Sequence, residues 1–375
     1  MVPPATIKLF TTPSSWIEGE SIRQLETVAR LPGMIHVAGF PDLHPGKGGP
    51  VGAAMLSSTT FYPYLAGSDV GCGMSMFTTD IQMSKVKPEK WAKKLASIET
   101  PWDGDATEQL NEYDAASEGV DTSLGTVGYG NHFAEFLKIK QIFDPSYFRF
   151  CGLKDNKLFL LVHSGSRGLG ERLLRSHVDI HRDGGLTAGS EEACAYLAAH
   201  NNCVKWAEAN RSLIAYRLAS QIDSDVILES AGNWCHNSIT PVEYEGRECF
   251  LHRKGASPTD EDTFVVIPGS RGSYSYVVKP LDERVDNLWS VAHGAGRRWG
   301  RNDCKGRLRE KYSAESLKRT RLGSYVICDD KELLYEEAPQ AYKDIESVID
   351  DMVTHGLIAV LAILEPVLTY KVRKY

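Results

Sequence analysis

The chain has 375 residues, of which 42% are hydrophobic and 24% are charged, with a formal net charge of −7. This composition is typical of a globular protein, and its acidic balance gives no general signal for nucleic-acid binding. Without an 18-residue apolar run, or a basic start followed by an apolar core, the sequence predicts neither a membrane span nor a signal peptide. We therefore expect a cytoplasmic protein whose eight scattered cysteines are reduced and mostly buried.

Strand-like and helix-like segments alternate along the chain without repeats or a clear linker. The predicted strands are 157–165, 263–270 and 324–330. The predicted helices are 204–222, from its amphipathic spacing, and about 339–363. This mixture predicts an α+β fold with mixed β-sheets and surrounding helices, in a single large domain over 1–375.

The stretch GSDVGCGM (67–74) places a carboxylate, Asp69, and a thiol, Cys72, between three glycines. Two ligands are too few for a metal, so we expect histidines from elsewhere to complete the site. Four histidines lie in Gly- and Asn-rich settings: His132, His163, His236 and His293. Three others lie in ordinary helix-like sequence and are interpreted as structural: His177, His200 and His355.

These residue types suit a transition metal, since imidazole, carboxylate and thiolate are all ligands of such ions. The residues alone leave two arrangements open. One is a structural zinc site that uses four of them, and the other is a catalytic two-metal site in which the thiolate bridges both ions.

Two segments have the composition of a phosphate-binding site. PGSRGSYSY (268–276) and HGAGRR (293–298) combine glycines, hydroxyls and guanidinium groups, although neither matches a P-loop. From Arg297 to Arg321, ten basic residues stand against three acidic ones, a local charge of about +7 that suits a polyanion. A solvated surface helix would explain the same charges.

Eight blocks in order identify a family resemblance. They are PDLHPGKGGPVGAAM, GSDVGCGMSMF, GTVGYGNHFAEF, HSGSRGLG, CHNS, HRKGAS, IPGSRGSYSY and SVAHGAGR. Together they resemble the signature blocks of the RtcB-type RNA ligases over residues 41–297. The resemblance implies a central metal and nucleotide cleft, and a GTP- and Mn²⁺-dependent joining of an RNA 3′-phosphate or 2′,3′-cyclic phosphate to a 5′-hydroxyl, in RNA repair or tRNA splicing.

The resemblance also implies roles for individual residues. His293 matches the histidine that becomes guanylylated by GTP. One Mn²⁺ would be held by Asp69, Cys72 and His236, and the other by Cys72, His132 and His163. The positions that match nucleotide contacts are Asn131, Glu135, Asn237, Ser270, Ser275, Gly294, Gly296 and Lys371, with Glu135 accepting from the guanine base.

Several features depart from the family pattern. The family ends in Lys-Gly, whereas this tail reads PVLTYKVRKY, so Lys371 is the match and Lys374 the second choice. Arg271 replaces the methionine of the usual PGSM, and the chain is shorter than typical members. Asp42 and His44, in PDLHPG, are expected to help handle pyrophosphate or the RNA ends.

RNA is the expected macromolecular partner, with the basic segment after the nucleophile as its contact surface, through Arg297, Arg298, Arg307 and Arg309. The sequence leaves open whether an activating protein is needed. Two alternative functions are a metal-dependent RNA-end phosphodiesterase or cyclic-phosphatase, and a non-catalytic GTP-binding RNA-end sensor. The intact His293 and Glu135 argue against hydrolysis, which needs neither.

Overall fold

Two main β-sheets with helices packed around them make up the architecture in our computed structural model, which describes residues 4–260, 263–281 and 285–373. The strands are β1 (Thr6–Leu9), β2 (Met34–His44), β3 (Val51–Ser57), β4 (Thr60–Phe61), β5 (Gly73–Gln82), β6 (Phe133–Ile142), β7 (Lys157–Ser164), β8 (Leu186–Thr187), β9 (Leu228–Cys235), β10 (Asn237–Tyr244), β11 (Arg247–Lys254), β12 (Ala256–Pro258), β13 (Val265–Pro268), β14 (Ser275–Pro280), β15 (Ser290–Ala292), β16 (Tyr325–Cys328) and β17 (Ile358–Val372). The α-helices are α1 (Gly19–Val28), α2 (Pro88–Lys94), α3 (Ala106–Asn111), α4 (Pro145–Phe150), α5 (Gly168–His181), α6 (Glu191–Ile222), α7 (Arg301–Leu308), α8 (Lys331–Glu336) and α9 (Ile345–Thr354).

The larger sheet has the strand order β13-β14-β17-β6-β7-β5-β9, with β16 also pairing with β17. The second sheet has the order β1-β2-β3-β11-β10, and two short two-stranded pairs join β12 to β15 and β4 to β8. Most pairings are antiparallel, while β1–β2 and β16–β17 are parallel. The predicted α+β class with mixed sheets is confirmed.

The 15-residue strand β17 lies inside the larger sheet, between β14 and β6. Its pairing with β6 sets Thr369 opposite Glu135. Pro366 sits where the register shifts, which is where a strand tolerates a residue without an N–H group. The strand therefore carries its last residues to the same place as the start of β6.

The three predicted strands are confirmed as β7, β13 and β16, each somewhat shorter than expected. The helix predicted at 204–222 is confirmed but begins earlier, at Glu191. Ser190 caps it by accepting a hydrogen bond from the backbone N–H of Ala193.

The helix predicted over about 339–363 is confirmed only for Ile345–Thr354, so it begins later and ends earlier than expected. Helix α9 ends at Thr354, and Gly356 then adopts a φ of 64° that turns the chain. The apolar run that follows is strand β17, because a continuous apolar segment fits a buried strand as well as a helix.

All eight cysteines lie within the described residues and carry free thiols, and five of them are buried. Within 4–260, 263–281 and 285–373, no helix combines the length and apolarity that a membrane crossing requires.

Candidate active site and metal centre

Four of the expected metal ligands meet at one edge of the larger sheet. Cys72 directly precedes β5, His132 precedes β6, His163 lies on β7 and His236 follows β9. The register places Gly73 opposite both Ser164 and Cys235, and Phe133 opposite His163, which aligns these strand ends. Sheet pairing thus gathers residues that are far apart in sequence.

The donor atoms of this cluster lie within hydrogen-bonding distance of one another. Cys72 Sγ is 3.2 Å from His163 Nε2 and 3.4 Å from His132 Nε2. His132 Nε2 is 2.8 Å from Asp69 Oδ2, and His163 Nε2 is 3.2 Å from His236 Nε2. The structure therefore brings together all five residues expected to bind metal.

The chemistry of these donors fits a cation. The Nδ1 atom of His132 donates to the carbonyl of Val127 at 3.2 Å, so in a neutral imidazole the other nitrogen, Nε2, is an acceptor. That acceptor faces the carboxylate of Asp69 and the sulfur of Cys72. Once the Cys72 thiol loses its proton, each of these three atoms can give a lone pair to a metal ion.

Burial controls the ionisation of these groups in the metal-free protein. Burial, and then the nearby charge of Asp69, raise the pKa of the Cys72 thiol well above its usual value. Burial lowers the pKa values of His163 and His236 well below theirs, so both rings are neutral and able to bind metal. Burial opposes ionisation of Asp69, but His132, a hydrogen bond from the Cys72 thiol and the charge of Arg167 outweigh it and lower the pKa of this carboxyl.

The sequence did not single out Arg211 of α6, which braces the metal centre. Its fully buried guanidinium donates from Nη1 to the carbonyls of Gly71 (2.8 Å) and Ser164 (3.0 Å). These carbonyls flank Cys72 and His163, so a single side chain fixes both strand ends. An arginine within the apolar face of a helix is the sequence signal that could have revealed it.

His293 lies in the loop after β15, and its ring packs 4.7 Å from that of His236, measured between centroids. Its Nδ1 lies 2.7 Å from Asp42 Oδ2, and its backbone N–H donates to the same oxygen at 3.3 Å. Asp42 is fully buried. It therefore holds the proton on Nδ1 and leaves the Nε2 lone pair of His293 available.

Two cavities meet at His293. The larger, of about 570 Å³, contains most of the expected nucleotide contacts, and the smaller, of about 400 Å³, contains Asp69, Cys72, His132 and His236. Asn131 and Arg301 also line both cavities. His293 thus borders two adjoining spaces, and expected metal ligands line both, with His163 in the larger cavity and the other four in the smaller one.

One end of the larger cavity is built by β6 and β17. Thr369 Oγ1 donates to Glu135 Oε1 at 2.5 Å, and Lys371 follows two residues later on the same face of β17. Burial raises the pKa of Glu135 to about 7, while Thr369 and Lys371 act in the opposite direction. Of the two candidate tail lysines, Lys371 lies in the cavity, whereas Lys374 lies outside the described residues.

Glu337, which the sequence did not single out, is the centre of a charged cluster in the wall of the same cavity. Its carboxylate lies 3.0 Å from Arg297 Nη1, 3.6 Å from Arg301 Nε and 3.8 Å from Lys371 Nζ. Tyr342 donates its hydroxyl to this carboxylate as well. The cations and the hydroxyl lower the pKa of Glu337 even though burial opposes ionisation.

Arg271 also lines the larger cavity and is 8% exposed. Its Nη2 donates to the carbonyl of Leu334 at 2.6 Å, whereas Nη1 has no hydrogen-bond partner among the described residues. Burial lowers the pKa of this guanidinium. One nitrogen of Arg271 is therefore buried without a hydrogen-bond partner in the wall of this cavity.

The remaining expected nucleotide residues are distributed unevenly. Ser270, Gly294 and Gly296 line the larger cavity. Asn237 lines the smaller one, where its amide donates to the Asp69 carbonyl at 3.2 Å and braces the metal loop. Ser275, on β14, is buried and lines neither cavity.

The basic segment expected to contact RNA continues from this cavity into helix α7. Arg297 and Arg298 line the cavity, and the Arg298 guanidinium lies 5.9 Å from the ring of Trp16. Arg307 is exposed and lies 5.0 Å from the ring of Trp299, while Arg309 is 3.6 Å from Glu332. Arg297 forms an ion pair with Glu337, so the exposed positive charge lies further along the segment, at Arg307 and Arg309.

The histidines interpreted as structural bond to the backbone. His200 Nε2 accepts from the N–H of Ile239 at 2.9 Å, and His177 Nε2 lies 3.0 Å from the carbonyl of Gly184. His355 lies 3.0 Å from the carbonyl of Thr11. These contacts confirm the interpretation.

Comparison with known proteins agrees with this site. The family described as "tRNA-splicing ligase RtcB" matches residues 24–111 and 97–372. An RNA-splicing ligase RtcB2 of Escherichia coli strain ATCC 25922 is 46% identical over 372 residues, which cover 98% of this chain and 97% of that protein. The short length is therefore shared with this relative.

More distant relatives match across most of their length. RNA-splicing ligase RtcB of Escherichia coli K12 is 25% identical over 92% of both chains. tRNA-splicing ligase RtcB of Archaeoglobus fulgidus is 25% identical over 93% of this chain and 90% of that protein. The sequence blocks, the assembled Cys–His centre and these matches agree, and the chain belongs to the RtcB family of RNA-splicing ligases.

Proposed function

We propose that this RNA ligase joins an RNA 3′-phosphate or 2′,3′-cyclic phosphate to a 5′-hydroxyl, in RNA repair or tRNA splicing, through guanylylated His293. The observation that carries the proposal is the position of His293, which is backed by Asp42 and open to two cavities. A nucleotidyl carrier needs this arrangement, since it must react with GTP first and with RNA afterwards.

In the first step, Nε2 of His293 attacks the α-phosphorus of GTP as the bond to pyrophosphate breaks. The attack places positive charge on the imidazole, and the buried carboxylate of Asp42 stabilises that charge through Nδ1–H. Gly294 and Gly296 lie beside the nucleophile and let the backbone approach the phosphates closely.

A 2′,3′-cyclic phosphate must first be opened by water, which breaks the P–O2′ bond and leaves a 3′-phosphate and a 2′-hydroxyl. The guanylyl group then passes from His293 to an oxygen of the RNA 3′-phosphate, and the P–N bond breaks. The 5′-hydroxyl oxygen then attacks this activated phosphorus, its proton is lost to solvent and GMP leaves. Positioning and charge stabilisation account for most of the rate in such transfers.

The metal centre would hold two Mn²⁺ ions. Asp69, Cys72 and His236 would bind one, and Cys72, His132 and His163 the other. When bound, the ions supply positive charge next to phosphate oxygens. The role of the chain is to present neutral imidazoles, which burial of His163 and His236 achieves.

Glu135 gives the proposed selectivity for guanine. A buried carboxylate can accept both the N1–H and the N2–H of this base, whereas adenine offers no such pair of donors. Lys371 lies on the same face and lines the same cavity.

The test is label transfer to the protein. Incubation with Mn²⁺ and GTP carrying a radioactive α-phosphate, followed by denaturing electrophoresis under alkaline conditions, should label the wild type but not His293→Ala. His181→Ala removes an exposed histidine of α5 and serves as the matched control. Joining of two RNA strands with the stated ends then tests ligation.

Two results would redirect the assignment. RNA-end hydrolysis without label favours a metal-dependent phosphodiesterase. GTP binding without label or turnover favours an RNA-end sensor.

A further inference from the structure

An exposed aromatic side chain projects at the mouth of the smaller cavity. Tyr129 is 63% exposed and lines this cavity together with Asp69, Cys72 and His293. The neighbouring glycines, Gly128 and Gly130, adopt φ values of 89° and 73°. These left-handed conformations turn the backbone on both sides of the ring and direct Tyr129 away from the core.

Two arginines flank this aromatic ring. A Cβ atom added to Gly128 would lie 1.7 Å from Arg167 Nη1, and one added to Gly130 would lie 3.1 Å from Arg301 Nη2. The two guanidinium groups therefore pack directly on the backbone before and after Tyr129. A Cβ at Gly128 would displace Arg167, whereas a Cβ at Gly130 would need only a shift of a few tenths of an ångström by Arg301.

Arg167 and Arg301 belong to different elements that converge on the loop. Arg167 caps α5 with a φ of 57°, and its Nε donates to Thr126 Oγ1 at 3.3 Å. Arg301 begins α7, and its side chain is 50% exposed. An exposed aromatic ring on a loop bordered by two cations is a combination that binds single-stranded nucleic acid, through base stacking and phosphate contacts.

We propose that Tyr129 is the platform on which the last base of the RNA 3′-phosphate strand stacks, with Arg167 and Arg301 contacting its backbone phosphates. The inference rests on the proposed function. The stacked base would hold the 3′-phosphate inside the smaller cavity, next to His293. GTP would occupy the larger cavity, where Glu135 and Lys371 lie, so the two substrates do not compete.

A protein partner is a less suitable occupant of this surface. A single tyrosine between two glycines offers little contiguous apolar area, whereas protein-binding patches are larger. Stacking on one ring also tolerates any base, which suits an enzyme that acts on broken ends.

The experiment measures binding of a single-stranded RNA 3′-phosphate oligonucleotide with 2-aminopurine at its last position. Wild type, Tyr129→Phe and Tyr129→Trp should bind it and quench the fluorescent base. Tyr129→Leu and Tyr129→Ala should bind roughly 5- to 150-fold more weakly, without quenching. Tyr216→Ala, which removes an exposed tyrosine from α6 that lines neither cavity, is the matched control.

Equal RNA affinity of Tyr129→Leu and Tyr129→Phe would overturn the proposal, since only the aromatic face distinguishes them. Loss of affinity for a 5′-hydroxyl oligonucleotide alone would overturn it too, because the stacked strand would then be the other one. Label uptake from GTP in the absence of RNA tests the proposed function separately. If the wild type takes up label but the Tyr129 variants bind RNA as tightly as the wild type, only the stacking proposal is refuted.

Discussion

The hydrogen bond between Asp42 and His293 allows the sharpest test of the nucleophile. Asp42→Asn keeps the size of the side chain but removes its charge. Asp42 Oδ2 is 2.7 Å from Nδ1, and the carboxylate is fully buried, so little solvent screening weakens the pair. The variant should fold, since the amide oxygen can still accept from Nδ1–H.

The expected loss follows from the charge on the imidazole during attack. A hydrogen bond to a charged group contributes about 1.5–3 kcal/mol, and about 1.4 kcal/mol in the barrier changes a rate tenfold. We therefore expect Asp42→Asn to form the guanylylated protein roughly 10- to 150-fold more slowly. Binding of GTP should change much less, because the attack itself is the step that places positive charge on the ring.

Single-turnover uptake of the labelled α-phosphate measures the rate, and calorimetric titration with GTP measures binding. A variant that reacts at the wild-type rate would refute the role of Asp42. A variant that loses GTP binding in parallel with rate would show that Asp42 shapes the cavity instead of stabilising the reacting ring.

Four further predictions concern other parts of the site. GTP affinity should fall as pH drops below about 7, because Glu135 must be ionised to accept hydrogen bonds from guanine and its pKa is raised to about 7. Glu135→Gln should remove this pH dependence. If the pH dependence persists in that variant, another group causes it. Cys72→Ser should weaken Mn²⁺ binding at both sites and so lower the Mn²⁺ content of the dialysed protein, measured by atomic spectrometry. An unchanged content would exclude a bridging thiolate. Arg271→Met should weaken GTP binding by about 1 kcal/mol, which is roughly fivefold. It should not lower the Tm, because the variant removes a buried guanidinium that has an unpaired nitrogen. Unchanged GTP affinity would mean that Nη1 does not reach the nucleotide. Joint replacement of Arg307 and Arg309 by Glu should weaken RNA binding. In a plot of log affinity against log salt concentration, the slope should fall by about 0.7 for each phosphate contact that is lost. Identical salt titrations of variant and wild type would show that this segment does not contact RNA.

Local sequence singled out the residues of the Cys–His cluster that the structure assembles. A thiol or an imidazole in a glycine-rich loop has few structural uses, so Cys72 and His163 stood out without knowledge of the fold. Which strand ends would meet could not be read from spacing, since β5, β6, β7 and β9 are separated by long insertions. Only the register of the sheet brings their ends together.

The residues that support the site were harder to predict. Arg211 and Glu337 lie in ordinary helical or loop sequence, and their importance depends on burial next to groups that are distant in the chain. The predicted end of α9 was wrong for a related reason. The run after Gly356 is apolar on both faces, as an inner strand requires, and this pattern does not distinguish a strand from a buried helix.

The position of β17 has a consequence for protein synthesis. This strand follows every other described element, yet it completes the middle of the larger sheet and brings Thr369 and Lys371 to the larger cavity. Until residues 358–372 emerge from the ribosome, β6 and β14 lack their shared neighbour. Nascent or prematurely terminated chains therefore cannot build the end of this cavity that Thr369 and Lys371 line, even though Glu135 is already present on β6.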